Sequence, residues 1–217
     1  GLAPSLPAAN SVLLRRLTYD LTGLAPTPAE LDAFEADPSP DGYERRVDAL
    51  LASARFGEDW ARRWLDLVRY CETLGHEFDY AVPNAWRYRD YVIAALNDDV
   101  PYDQLVHEHI AGDLLANPRR NVAGENESIK GTGFYWFTQQ THSPVDQAVQ
   151  TADRIENQID VLAKTFLGLT VACARCHDHK FDAISTRDYY GFYGYLASSR
   201  YTQAEIERWT NLIRKTN

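Results

Sequence analysis

Residues 143–169 read SPVDQAVQTADRIENQIDVLAKTFLGL. Ile155, Ile159, Leu162, Phe166 and Leu169 recur at steps of four, three, four and three, the period of one apolar face on an α-helix. Ser143 stands at the cap, Pro144 at the first helical position and Asp146 in the first turn, a helix-start pattern. The spacing predicts a helix from about Pro144 to about Gly168, some 35 Å long at 1.5 Å per residue. On its other side Asp153, Glu156 and Asp160 form an acidic face. Carboxylates so spaced can do acid–base work or hold a metal, but opposite an apolar stripe they read first as a solvated face.

Working outward, the same periodicity runs upstream. Phe56, Trp60, Trp64, Leu67, Val68 and Cys71 mark an apolar stripe on a second helix. Thr27-Pro28-Ala29-Glu30 is a capping box with proline at the first position. Asn84 to about Asn97 reads as a helix, and Pro101 opens another that runs to about Ala111. Ser185-Thr186-Arg187-Asp188 caps a further helix rich in Tyr and Phe, and the stretch from about Gln203 reads as a polar helix or tail. Residues 134–137, FYWF, suit a strand or a helical turn. There is no strand series and no internal repeat, so the expected fold is mostly α, an irregular multi-helix domain. We expect a single domain over 1–217, with the polar, Asn- and Gly-rich stretch at about 116–133 as the place for a seam between two halves.

Composition narrows the function. Hydrophobic residues make up 45% and charged residues 24% of 217, enough to build a core. The formal charge of −9, with no basic stripe, argues against nucleic acid as a partner. No apolar run approaches the roughly 18 residues that span a bilayer. The opening GLAPSLPAAN carries no signal-peptide pattern, which leaves the compartment open.

The chemistry is carried by residues 171–180, VACARCHDHK, in the C-terminal half. C-x-x-C-H is the attachment signature of a c-type haem. On a helical turn, residues three and four apart share a face, so Cys173, Cys176 and His177 can address one flat ligand. Two thiols add across the haem vinyls as thioethers, and the imidazole reaches the iron. Zinc is the alternative, with the two thiolates and His177 or His179 as ligands, but no second C-x-x-C or spaced histidine pair completes it. A redox-active dithiol fits less well, because no βαβ pattern surrounds the motif.

Long stretches carry a resemblance: LLRRLTYDLTGLAPTPAELDAF, WARRWLDLVRY, NAWRYRDYVIAALNDDVPYDQLV, IAGDLL and FLGLTVACARCHDHKFDAISTRDYYGFYG. The chain resembles the planctomycete cytochrome-c-associated domain family, a domain of unknown function in large secreted planctomycete proteins. That resemblance implies a planctomycete origin, export to the periplasm or beyond, and excision of this module from a longer protein. It also implies further domains, often a small cytochrome-c-like module before this one and a second uncharacterised domain after it, and supports haem without supplying a reaction. Cys71, in RYCET, departs from the small or polar residue expected there, and its place on the apolar stripe reads as a buried core thiol.

The chain contains no Met, so Met/His ligation cannot arise within it. The candidates for a sixth iron ligand are His76, in the loop Gly75-His76-Glu77, and His142, which a straight helix would hold far from the motif. His107 and His109 lie two apart on a helix and face different ways. Arg175, Arg87 and Arg89 are candidate partners for haem propionates, since guanidinium binds carboxylate bidentately. The expected function is electron transfer by one covalent haem c within an exported multi-domain redox protein, its partners being neighbouring domains or redox proteins. The alternatives are a haem enzyme with an open or displaceable sixth site, acting on a small oxidant or organic substrate, and a zinc-binding interaction module.

Overall fold

The structure, a computed structural model, describes residues 3, 6–37, 39–76, 78–138 and 144–199. Among these residues the chain forms eight α-helices and no strand; its only bridges are isolated pairs, Thr73 with Ala81 and Arg120 with Asn126. No helix among them is long and apolar enough to cross a membrane. The mostly α expectation holds.

The chain divides into two compact units, Gly1–Arg63 with Val92–Val100, and Trp64–Tyr91 with Pro101–Asn217. In the first, α1 (Asn10–Thr22) packs on α2 (Pro28–Glu35) and α3 (Gly42–Leu51). Gly23 ends α1 at φ 68°, a left-handed conformation that glycine adopts without strain, and its N–H reaches the Tyr19 carbonyl. The capping box forms as the sequence predicts: Thr27 Oγ1 accepts from the Glu30 N–H, and Glu30 Oε2 accepts from the Thr27 N–H at 2.8 Å. Leu14, Leu17, Ala61, Val92 and Ala95 are buried in this unit.

Helices α4 (Ala54–Leu67) and α5 (Ala85–Asn97) each give residues to both units. The stripe on α4 is less regular than its spacing suggests. The helix stops at Leu67, Arg69 turns to φ 52°, and Leu67 and Trp60 are exposed while Val68 is fully buried. Cys71 therefore lies beyond the helix, half-buried rather than sealed in a core.

The second unit adds α6 (Tyr102–Ala111), a 3₁₀ segment (Ser128–Trp136), α7 (Gln147–Leu162), a π turn (Ala163–Leu167), a short 3₁₀ segment (Val171–Arg175) and α8 (Thr186–Ala197). Residues 134–137 thus belong to a helical turn and its exit rather than a strand. The stretch at 116–133 lies inside this unit, its end packed on α6. The long helix is shorter than predicted: Asp146 caps α7 by accepting the Ala148 and Val149 N–H groups, and Ser143 lies outside the described residues. Ile155 and Ile159 join Ala163, Val171, Ala174, Tyr189 and Leu196 in one core cluster. The π turn inserts a residue into the ladder, and Phe166 there packs on Trp64, His109 and Phe134.

Candidate functional site

Gly168, at φ 66°, ends the π turn and lets the chain leave α7 for the segment that carries the cysteines. In a 3₁₀ helix residues three apart eclipse one another. Val171 and Ala174 take the inner register and are buried in the core cluster. Cys173 and Cys176 consequently share the outer register, and both are free thiols exposed to solvent. His177 follows, also exposed, with Nδ1 at 2.8 Å from the Asp178 carbonyl oxygen. A carbonyl only accepts, so Nδ1 carries a proton, and in the neutral ring the lone pair is on Nε2. The turn thus offers two sulfurs and one basic imidazole nitrogen to solvent.

The surroundings hold this turn in place. Arg175 Nη1 pairs with Glu156, and its guanidinium lies 3.3 Å from Asp153 Oδ1, which ties the motif to α7. The acidic face read from sequence as solvated is therefore partly neutralised from within, and Lys164 pairs with Asp160 at 2.7 Å. On the other side, Asp178 Oδ1 accepts the Thr186 N–H at the start of α8, which Ser185 caps as predicted and where Asp188 completes a capping box. His179 closes the intervening loop. Its Nδ1 accepts the Phe181 and Asp182 N–H groups, so Nε2–H donates to Thr170 Oγ1 at 2.9 Å. Both ring nitrogens of His179 are used, which removes it as a ready zinc ligand. Among the described residues no group of three or more His, Cys, Asp or Glu side chains is placed to hold a metal ion.

The remaining candidates are dispersed. His76 is exposed at φ 64° and lines a cleft of about 870 Å³ with Arg69, Asp153 and Asn157, to which neither cysteine nor His177 contributes. His142 lies outside the described residues. Arg87 rests over the Trp86 ring at 4.8 Å, and Arg89 pairs with Glu72 and Asp90. Arg175, Arg87 and Arg89 thus all have partners within the chain.

Two buried constellations in the second unit had no sequence signal. His109 is fully buried on α6: Nδ1–H donates to the Leu105 carbonyl at 2.7 Å, and Nε2 accepts from the Tyr88 hydroxyl at 2.9 Å. Trp64 Nε1–H donates in turn to the Tyr88 oxygen at 3.0 Å. Burial lowers the His109 pKa to about 4, so the ring is neutral at neutral pH. Its neighbour Glu108 is also fully buried and accepts from Tyr91, Gln104, Ser128 and both ends of the Arg119 fork. Burial alone would raise this carboxyl, but Arg119 and Tyr91 outweigh it and hold the group below its ordinary value. His109 and Glu108 sit side by side in YDQLVHEHIA, a pattern indistinguishable from an exposed polar face until the partners arrive from distant segments.

No curated protein and no solved structure matches the chain. One family model does, over residues 1–214, and by that match the chain belongs to the family PSCyt2, protein of unknown function (DUF1549).

Proposed function

We propose that this chain is a c-type haem-binding domain, joined to the cofactor through Cys173 and Cys176 with His177 as axial ligand, and that it serves electron transfer. The observation that carries the reading is the 3₁₀ turn: two free, exposed thiols share one register beside an imidazole whose Nε2 is unblocked. The Nδ1–H to carbonyl bond selects the tautomer that a metal-ligating histidine needs and holds the ring's orientation. Arg175, clamped by Asp153 and Glu156, keeps the turn seated on α7 while the sulfurs face outward. A haem held there supplies a one-electron iron couple.

The resemblance adds the wider setting as part of the proposal: a planctomycete cytochrome-associated module, exported because thioether attachment is made outside the cytoplasm, and working beside further domains. A second reading, a haem enzyme with an accessible sixth site, draws on the other histidines. Among the described ones, His109 and His179 spend both ring nitrogens within the fold, leaving only His76 and His107 exposed.

The test is expression with haem-attachment machinery. The denatured protein is expected to keep its haem on a gel and to give a thioether-type pyridine haemochrome, both lost in Cys173→Ala/Cys176→Ala. A colourless wild type carrying stoichiometric zinc overturns the proposal. Carbon monoxide binding to the reduced protein then separates the two functions: slow binding, accelerated in His76→Ala, supports a carrier, and fast binding unchanged by that substitution supports an enzyme.

A further inference from the structure

Three polar side chains of the second unit form one hydrogen-bonded chain inside a cage of aromatic rings. Trp64 Nε1–H donates to the Tyr88 oxygen at 3.0 Å, the Tyr88 hydroxyl donates to His109 Nε2 at 2.9 Å, and His109 Nδ1–H ends on the Leu105 carbonyl at 2.7 Å. Tyr88 is 3% exposed and His109 is sealed from solvent, while Trp64 is half-buried. The rings of Trp64, Tyr91, Phe134 and Phe166 lie 5.2–5.6 Å from the imidazole, centroid to centroid.

A phenol that loses one electron becomes a strong acid, so it yields the electron readily only where a base takes the proton at once. His109 is such a base. Burial keeps its ring neutral at neutral pH, and among the described residues Tyr88 is the one donor to Nε2. The other tyrosines of the unit are less well placed. Tyr91 donates to Glu108, but that carboxylate already holds the Arg119 fork, Ser128 and Gln104, so a proton arriving there strips a buried cation of its partner. The Tyr135 hydroxyl is buried with no acceptor. Tyr70 has Glu72 as a base, at the solvent-exposed edge of the unit, where an oxidised ring is open to reductants.

We propose that Tyr88 and His109 are a redox-active pair that takes up one oxidising equivalent. One electron passes from the Tyr88 ring to an outer-sphere one-electron oxidant, which is reduced by one unit. The Tyr88 O–H bond breaks and its proton forms an N–H bond at His109 Nε2, leaving a neutral phenoxyl radical and an imidazolium. Return of one electron and that proton restores the pair. Both products keep their partners: the Trp64 N–H still donates to the phenoxyl oxygen, and the Leu105 carbonyl accepts from the imidazolium Nδ1–H. The cage keeps water and other phenols from the radical. The pair shares no residue with the cysteine turn, and it stands independently of the haem proposal.

The probe is tris(bipyridine)ruthenium(III), generated by a laser flash beside the haem-free 217-residue chain, with transient absorption and electron paramagnetic resonance as readouts. A population of neutral tyrosyl radical is expected to decay at a rate independent of protein concentration, because a buried ring cannot meet a second one. Radicals on exposed tyrosines pair with one another and decay faster at higher concentration. Tyr88→Phe is expected to remove the slow population. His109→Gln keeps a hydrogen-bond acceptor but no base, and is expected to cut the yield at least about tenfold. Tyr135→Phe should leave the slow population unchanged. Should a variant fail to fold, the wild type decides the matter, its slow population present in buffer and absent in denaturing urea. A wild type whose tyrosyl signal decays only by concentration-dependent pairing overturns the proposal. So does a slow population that survives Tyr88→Phe, or a His109→Gln yield within about threefold of the wild type.

Discussion

Acidification from about pH 7.5 to about 4.5 protonates a free histidine in the unfolded chain while His109 in the folded chain stays neutral. Its ring is fully buried, with Nδ1–H on the Leu105 carbonyl and Nε2 accepting from Tyr88, so a second ring proton would displace the Tyr88 donor. The folded pKa is about 4 against an ordinary 6.5. Above pH 6.5 neither state binds the proton and the full stability is present. As pH falls from 6.5 towards 4 only the unfolded state takes it up, and stability is lost across that window. The difference is worth about 3 kcal/mol at 1.36 kcal/mol per unit. With a urea dependence of about 2 kcal/mol per molar, the midpoint should fall by roughly 1.5 M. Tryptophan fluorescence is a suitable signal, since Trp64 bonds to the same Tyr88 oxygen. His109→Gln supplies the comparison: less stable at neutral pH, but with most of the loss between pH 6.5 and 4.5 abolished. Glu108 contributes little in that window, because its carboxyl is held below its usual value and titrates later. Parallel curves for wild type and variant, within about 0.5 kcal/mol, refute the assignment.

Two further outcomes follow from the same unit. Glu108→Gln places an amide N–H₂ against donors from Tyr91, Arg119, Ser128 or Gln104 in either orientation, and removes the carboxylate from the Arg119 fork. Loss of one partner of a buried pair costs about 3–5 kcal/mol, so the melting temperature should drop by on the order of 10 °C; a drop under about 3 °C contradicts the network. Iodoacetamide treatment of haem-free protein should label Cys173 and Cys176 quickly and Cys71 slowly, because both motif thiols are exposed while burial raises the Cys71 pKa. Mass spectrometry of the early time points, showing Cys71 labelled as fast as the other two, runs against that placement.

Elements built from contiguous residues were legible in advance. Thr27 and Glu30, and Ser185 and Asp188, satisfy each other across three residues, so their capping boxes form wherever the helices lie. Helix ends were less legible where the deciding interaction is a competition. Asp146, three residues after Ser143, supplies the side-chain cap of α7, and the ladder slips into a π turn at Ala163 where Phe166 packs among Trp64, His109 and Phe134. Similarly, the stripe from Phe56 to Cys71 keeps its spacing on paper but is broken by the turn at Arg69, which leaves Leu67 outside.

For the candidate site, the sequence by itself determined which groups are close: Cys173, Cys176 and His177 cannot be far apart, since they lie within five residues of chain. It also determined, through the absence of Met, that methionine cannot complete the coordination of the proposed haem from within this chain. Tertiary structure decided which way those groups face. Burial of Val171 and Ala174 against Ile155 and Ile159 forces the two sulfurs to the opposite register, and the Asp178 carbonyl selects the His177 tautomer. It alone decided that Glu108 and His109 are interior groups and that the Tyr135 hydroxyl lacks a partner. The reason is range: covalent spacing and helical period act over three or four residues, whereas desolvation and pairing depend on partners such as Tyr91, Arg119 and Tyr88, which meet only after the chain has folded.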